Sequence, residues 1–246
     1  MSENNLTQNK TIEIIPALLA EDFSEIEQKL NLLKAVFQLA PSVRKPLIQI
    51  DICDGQFVAS RTWPFRRENE TISQLEKFAD DFDFELDLMV ADPKKFLENE
   101  RLIALSRSGI RRIIIHNKEV LPLKELFGSP ASKIFQIGVA IPAGWSVEEI
   151  GLKLDEIDFI QFMGIAKIGY QGQFFEARVI EKIQNFRAEN PKMIISIDGG
   201  VNLENAPALL RAGANRLVVG SALFQEKTAS GVAKTLREFQ KIRVNN

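Results

Sequence analysis

Eight short apolar or alternating segments, separated by stretches with helical spacing, constrain the fold of this chain more than any other feature. Their lengths and their flanking turn residues are typical of β-strands. The first intervening stretch places Phe23, Ile26, Leu30 and Leu33 on one helical face. Strands that alternate with helices predict a parallel sheet covered by helices. The eight segments are residues 12–16, 47–52, 84–90, 111–116, 134–140, 157–163, 193–198 and 216–220.

The length of the chain decides how this alternation is arranged. A chain of 246 residues is long for one domain unless the architecture is a large one, and no linker divides it. We therefore predict α/β class and a single (β/α)₈ TIM barrel over residues 12–246, with an open doubly wound sheet as the alternative. The polar residues 1–11 are expected to form a flexible N-terminal tail.

Composition excludes several classes of function. The 31 Lys and Arg residues against 33 Asp and Glu residues give a net charge of −2, so the basic excess that nucleic-acid binding requires is missing. The longest apolar stretch, residues 14–20, is far shorter than the roughly 20 residues that cross a membrane. One Cys and one His supply neither a disulfide nor a zinc finger. We expect a cytoplasmic protein that binds neither nucleic acid nor membrane.

Polar residues at the ends of the predicted strands form the candidate site, because (β/α)₈ barrels carry their functional residues at the carboxyl ends of the strands. The two-residue period of a strand turns Gln49 and Asp51 inward on the second strand. Asp87 on the third strand and Asp198 on the seventh also point inward. Three neighbouring aspartates repel one another unless a cation neutralises them or one holds a proton. Pairing with Lys or Arg in a structural network is the alternative.

Glycine-containing segments after the last strands are candidate phosphate sites, because backbone N–H groups at these positions commonly bind phosphate in such barrels. Tight turns and a mobile loop are the alternative interpretations. Three strand-end residues, Met89, His116 and Met163, are expected to line the substrate pocket, although core packing would also explain them. The phosphate-binding candidates are Gly199 and Gly200, then Gly220 and Ser221, and a longer loop that contains Gly169, Gln171 and Gly172.

Taken in order, these residues resemble the ribulose-phosphate 3-epimerase family over residues 12–224. The resemblance implies a barrel of the ribulose-phosphate-binding type and an isomerase of pentose phosphate metabolism. Such an enzyme interconverts D-ribulose 5-phosphate and D-xylulose 5-phosphate by moving a proton at the third carbon. Asp51 and Asp198 are then the acid and base that act on opposite faces of the sugar. The matching segments are residues 15–23, 51–58, 88–90, the strand that ends at His116, 169–173, 197–201 and 212–222.

The centre of the site departs from the family pattern. The family holds a divalent metal, often zinc, with its two aspartates and two histidines, and Gln49 and Asp87 stand where those histidines are expected. The resulting metal ligands, Asp51, Asp198, Asp87 and Gln49, offer only oxygen. They favour Mg²⁺, Mn²⁺ or another hard cation over zinc, with a site that binds no metal as the alternative. Further departures are Ala17 for a Ser, Cys53 for a Met, Ile141 for an Asn and one extra residue near 166–168.

Three functions remain open from the sequence. The first is the epimerase, the second a related ketose-phosphate isomerase or epimerase with a different substrate, and the third a non-catalytic barrel that binds a phosphorylated metabolite. The presence of both Asp51 and Asp198 favours an enzyme, since a buried acid pair without a use is costly. The loss of the two histidines favours the third. We expect a small phosphorylated sugar as the partner, and a homo-oligomer is compatible with the sequence.

Overall fold

Eight parallel strands close into a barrel, in which each strand pairs with its neighbours in sequence and the first pairs with the eighth. The computed structural model describes residues 12–39, 45–100, 102–116, 134–147 and 154–242, so the expected tail, residues 1–11, lies outside the described residues. The prediction of a (β/α)₈ TIM barrel is confirmed, and the open sheet is excluded. The strands are β1 Glu13–Leu19, β2 Leu47–Cys53, β3 Asp83–Met89, β4 Ile110–Ile115, β5 Gln136–Ile141, β6 Phe159–Met163, β7 Ile194–Asp198 and β8 Arg216–Val219.

Helices pack around the outside of the barrel. The first begins where the carboxylate of Asp22 accepts a hydrogen bond from the N–H of Glu25 at 3.0 Å, which caps its first turn. Among the described residues, no helix has both the length and the apolar character that crossing a membrane requires. The helices are α1 Phe23–Leu39, α2 Pro93–Glu100, α3 Leu102–Arg107, α4 Arg178–Glu189, α5 Ala206–Ala212 and α6 Ala229–Lys241, with 3₁₀ helices at Ile72–Phe78 and Leu154–Glu156.

The main hydrophobic core lies between the strands and this helical layer, and a smaller set of apolar residues fills the barrel itself. Inside the barrel, Phe159 packs with Ile114, Ala140 and Met163. Gly138 makes room for the ring, because a Cβ atom at this position would overlap Phe159. The barrel is therefore a packed core whose functional space lies at its carboxyl-terminal end, which we call the mouth.

Charged side chains fill the amino-terminal end of the barrel. Arg112 contacts Glu13 at 3.1 Å and Glu85 at 3.4 Å, and Arg216 contacts Glu13 at 3.1 Å. Glu85 and Arg216 are almost completely buried. Two acids and two arginines thus neutralise each other far from the mouth.

Candidate active site

Three aspartates meet at the mouth, and we call Asp51, Asp87 and Asp198 the acid cluster. Asp51 and Asp87 are register partners on β2 and β3, and Asp198 ends β7. One carboxylate oxygen from each lies within 4.8 Å of the others. Within the described ranges, no Lys or Arg forms an ion pair with any of the three. The structural-network interpretation therefore has no support among these residues.

A buried amide joins two members of the acid cluster. Nε2 of Gln49 donates to Oδ1 of Asp51 at 2.7 Å and to Oδ2 of Asp198 at 2.9 Å. Gln49 is completely buried, and its Oε1 has no hydrogen-bond partner among the described residues. Since the amide can rotate by half a turn, Oε1 can also face the carboxylates when a cation is present to receive it.

His116 contacts the third member of the cluster, a contact that the sequence analysis missed. Its Nε2 lies 2.5 Å from Oδ1 of Asp87, and neither side chain is exposed. The ring of Phe57 packs at an angle of 63° to the imidazole, with 6.1 Å between the ring centroids. His116 therefore lies behind Asp87 and is absent from the residues that line the cavity.

Burial and mutual repulsion raise the pKa values of the acids that face the cavity. Burial, together with the charge of Asp87, raises the pKa of Asp198 to about 7, against the opposing effect of its hydrogen bond with Gln49. Burial and the charges of Asp198 and Asp87 raise the pKa of Asp51 well above its ordinary value. A carboxyl group that exchanges its proton near neutral pH, as the value for Asp198 indicates, is suited to general acid–base catalysis.

The acid cluster and Gln49 fit a hard divalent cation. Oδ2 of Asp87 and Oε1 of Gln49 are buried oxygens without a hydrogen-bond partner in the described part of the chain. Oxygen ligands on opposite sides of Mg²⁺ or Ca²⁺ are about 4–5 Å apart, and the carboxylate oxygens of the cluster lie within 4.8 Å of one another. A set made of oxygen alone favours such cations over zinc.

A small cavity, open to solvent, lies above the acids. Asp51 and Asp198 face it, whereas Gln49 and Asp87 are completely buried beneath it. Met89 and Met163 lie in its wall, beside five further aliphatic residues: Ala17, Leu19, Ile165, Val201 and Val218. Its rim, which we call the glycine rim, contains Gly169, Gln171, Gly172, Gly199, Gly200, Gly220 and Ser221.

Local packing explains the glycines of the rim after β7. Gly199 and Gly200 have φ values of 97° and 68°, a region that favours glycine. The Asn205 side chain fixes the turn, because its Nδ2 donates to the carbonyl of Gly200 at 2.9 Å. Its Oδ1 accepts from the N–H of Asn202 at 2.9 Å. A neighbouring side chain thus holds this part of the rim in place.

Gly220 differs from the other glycines of the rim, because its φ lies outside the left-handed region. A Cβ atom there would lie 3.6 Å from the carbonyl oxygen of Ala17 and 3.6 Å from Nε2 of Gln171. These are ordinary contact distances. The fold therefore tolerates a methyl group at this position, although the group would project toward the cavity.

Gly164 is a further structural requirement that the sequence analysis missed. It follows β6, and its N–H donates to the carbonyl of Asp198 at 2.6 Å. A Cβ atom at Gly164 would overlap the carbonyl oxygen of Gly199. The sequence did offer a sign of this requirement, because Gly164 directly follows Met163, the inward-facing residue that ends the strand.

Cys53 lies at the end of β2 and is completely buried. Burial raises the pKa of its thiol to about 12, so the reactive thiolate is scarce at neutral pH. A buried packing role explains this residue, and a nucleophilic role does not.

The model of the ribulose-phosphate 3-epimerase family matches residues 13–224 of this chain. A ribulose-phosphate 3-epimerase of Schizosaccharomyces pombe is 26% identical over 229 residues, which cover 92% of this chain and 92% of that protein. One of Chlamydia pneumoniae is 32% identical over 184 residues, which cover 72% of this chain and 76% of that protein. The cytoplasmic isoform of ribulose-phosphate 3-epimerase of Oryza sativa subsp. japonica is 25% identical over 229 residues, which cover 92% of this chain and 93% of that protein.

Solved structures with the same architecture include a mutant tryptophan synthase alpha-subunit of Pyrococcus furiosus. It superposes with a TM-score of 0.68 at 18% identity and covers 94% of this chain and 98% of its own. The thiamine phosphate pyrophosphorylase of the same organism has a TM-score of 0.56 at 14% identity. The superposition covers 95% of this chain and 96% of that one. At these identities the likeness shows the barrel fold alone.

Proposed function

Since this chain belongs to the ribulose-phosphate 3-epimerase family, and is therefore an isomerase that acts on a carbohydrate, we propose that it interconverts D-ribulose 5-phosphate and D-xylulose 5-phosphate. One observation carries the proposal. Asp51 and Asp198 face the same cavity, share the amide of Gln49 and lie beside the glycine rim. The epimerisation of a sugar phosphate requires an acid pair beside backbone that can bind the phosphate, and glycines offer such backbone.

The reaction inverts one carbon, so it needs two proton-transfer groups. One carboxylate removes the proton from the third carbon on one face, and the electron pair moves into the adjacent carbonyl group. The other group, as the carboxylic acid, delivers a proton to the opposite face of the same carbon. Asp51 and Asp198 fit these roles because their pKa values are raised, which lets one hold a proton while the other is ionised.

The glycine rim is the proposed phosphate site. The turn after β8 begins at Gly220, whose carbonyl accepts the N–H of Leu223 at 3.0 Å. The first N–H groups of such a turn have no partner within it and are available to an anion. The N–H of Gly199 hydrogen-bonds with Asp198 and lowers its pKa. We therefore assign the phosphate chiefly to Gly200, Gly220 and Ser221.

Asp51, Asp87, Asp198 and Gln49 would hold a divalent cation, Mg²⁺ or Mn²⁺ by their chemistry. When bound, such a cation supplies positive charge that stabilises the negative charge developing on the substrate oxygens. Gln49 would then turn its amide and offer Oε1. In the absence of the cation, its two donor bonds hold Asp51 and Asp198 in position.

Incubation with D-ribulose 5-phosphate in D₂O, followed by NMR, tests the proposal. Deuterium at the third carbon together with xylulose 5-phosphate is the expected result. Deuterium at another carbon would identify a related ketose-phosphate isomerase. That second candidate has one observation in its favour, because Ala17 lines the cavity where the family pattern has Ser. No deuterium incorporation would leave the non-catalytic binding barrel.

We also propose that residues 12–246 form one barrel domain preceded by a tail of residues 1–11. A cytoplasmic location belongs to the same proposal. It is supported by the reducing environment that a single Cys suggests and by the relative named a cytoplasmic isoform.

A further inference from the structure

Asp87 and His116 form a closed pair beneath the cavity. Their side chains are fully buried, and Nε2 of His116 lies 2.5 Å from Oδ1 of Asp87. Phe57 packs against the imidazole ring and limits its rotation. Neither residue faces the cavity, so their contact acts on the substrate only through other groups.

The contact determines which imidazole nitrogen carries the proton. A carboxylate oxygen only accepts hydrogen bonds, so Nε2 is the donor. Nδ1 of His116 has no hydrogen-bond partner among the described residues. The proton on Nε2 therefore points at Asp87.

The same contact determines which oxygen of Asp87 stays available. Oδ1 is engaged by His116, whereas Oδ2 is buried and has no hydrogen-bond partner in the described part of the chain. The carboxylate lies in the acid cluster with Asp51 and Asp198. An anchored carboxylate with one oxygen engaged offers the other oxygen alone to a cation.

We propose that His116 is a positioning residue that holds Asp87 as a one-oxygen ligand for the divalent cation of this site. The inference rests on the cation-binding part of the proposed function. Residues that hydrogen-bond to a metal ligand fix its orientation, and their loss typically costs about 10–100-fold in metal affinity. His116 acts through Asp87 and touches neither the sugar nor the cation.

Calorimetric titration of the full chain with Mn²⁺ at one pH tests this role, because it measures the affinity of the protein for the cation. His116→Phe keeps an aromatic ring beside Phe57 and removes the donor, and His116→Gln restores an N–H at similar reach. Ser108→Ala is the matched control. It removes a buried hydrogen bond, 3.0 Å to the carbonyl of Ala104, at the other end of β4. It therefore measures the effect of general destabilisation.

We expect His116→Phe to bind Mn²⁺ about 10–100-fold more weakly, His116→Gln to recover most of the affinity, and Ser108→Ala to match the wild type. Equal affinity of the wild type and His116→Phe would overturn the inference and leave the proposed function intact. A wild type that binds no Mn²⁺ would overturn both this inference and the cation site, whereas the D₂O experiment would still decide the epimerase.

A measurement on the unmodified chain removes any dependence on the folding of a variant. His116 is the single histidine, so ¹⁵N-histidine labelling gives one unambiguous imidazole. The expected result is protonation at Nε2 and a shift of the Nε2 signal when the site is saturated with Mg²⁺. Protonation at Nδ1, or signals that do not change at saturation, would contradict the proposed role.

Discussion

The amide nitrogen of Gln49 lies 2.9 Å from Oδ2 of Asp198, although 149 positions separate the two residues in the chain. The same nitrogen lies 2.7 Å from Asp51. Two carboxyl groups that would otherwise repel each other therefore share one neutral donor. The contact explains how the acid pair is held together when no cation is bound.

Replacement of Gln49 by Leu should lower the free energy of unfolding of the metal-free protein. The decrease should be larger than the one caused by removing another buried amide. Each aspartate loses a donor to one of its oxygens, and buried polar groups left without partners cost about 1–3 kcal/mol each. Urea unfolding in chelator at pH 8 measures the effect. Gln161→Leu is the control, because this buried amide accepts from the neutral hydroxyl of Ser196 at 3.1 Å. An equal cost for both variants would contradict the role given to Gln49.

Asp51→Asn and Asp198→Asn should each lower turnover by about 10²–10⁴-fold, the usual contribution of a general acid or base. The amide keeps the shape of the side chain and removes its exchangeable proton, so ligand binding should survive. Steady-state kinetics and calorimetry check the two statements separately. A variant that stops epimerisation yet still exchanges the substrate proton with D₂O would assign the two residues to separate half-reactions. A fully active Asp198→Asn enzyme would refute the two-base mechanism.

The contribution of Asp198 to the stability of the metal-free protein should fall as the pH rises from about 4 to about 7. The pKa of Asp198 is raised from 3.8 to about 7 in the folded protein, so the folded state binds this proton more tightly than the unfolded state. The resulting stability is complete below pH 4 and is lost as the group ionises. Unfolding in chelator across this range should give a flatter profile for Asp198→Asn. Parallel profiles would show that Asp198 does not titrate in this way.

Gly220→Ala should weaken phosphorylated ligands and leave the fold intact. The added methyl group meets its neighbours at 3.6 Å, yet it crowds the N–H groups that we assign to the phosphate. We expect the KM for D-ribulose 5-phosphate to rise at least about tenfold, which is 1.4 kcal/mol, with little change for unphosphorylated D-ribulose. Gly144→Ala is the control, because no atom of the described residues, its two chain neighbours apart, lies within 4 Å of a Cβ atom there. Equal weakening of both ligands would remove the proposed phosphate site.

Cys53 should resist alkylation in the folded protein. Burial raises the pKa of its thiol to about 12, and iodoacetamide reacts with the thiolate. Mass spectrometry should show an unmodified chain after treatment at pH 8 and one adduct after unfolding. Rapid modification of the folded chain would show that this end of β2 opens readily.

Much of this site follows from strand period and strand order. Because inward residues alternate along a strand, Asp51 and Asp198 could be assigned to the mouth from the sequence alone. The contact between Asp87 and His116 could not be predicted from the sequence, because it depends on the register between the two strands. Asp87 pairs with Ile114 on β4, so His116 reaches it diagonally, and the register also shifts near Glu85.

The hydrogen bond between Gln49 and Asp198 could not be predicted from the sequence either. It joins β2 to β7, and these strands are not neighbours in the sheet. Only the closed barrel, with inward side chains stacked in layers, brings the two residues together. The direction in which the amide points depends in turn on the charges that surround it. Sequence period predicted which side chains face inward, but it carries no information on these interior distances.

The two ends of the barrel interior have different roles. The ion pairs at the amino-terminal end stabilise the barrel, and the carboxyl-terminal end carries the candidate site. At the amino-terminal end Arg112 contacts Glu13 and Glu85, and Arg216 contacts Glu13, so side chains of this chain supply the counter-charges. The acid cluster, within the described residues, has no Lys or Arg partner, and its repulsion is relieved when a bound cation or a proton arrives. Substitutions at the mouth can thus change the ligand while the contacts at the opposite end stay in place.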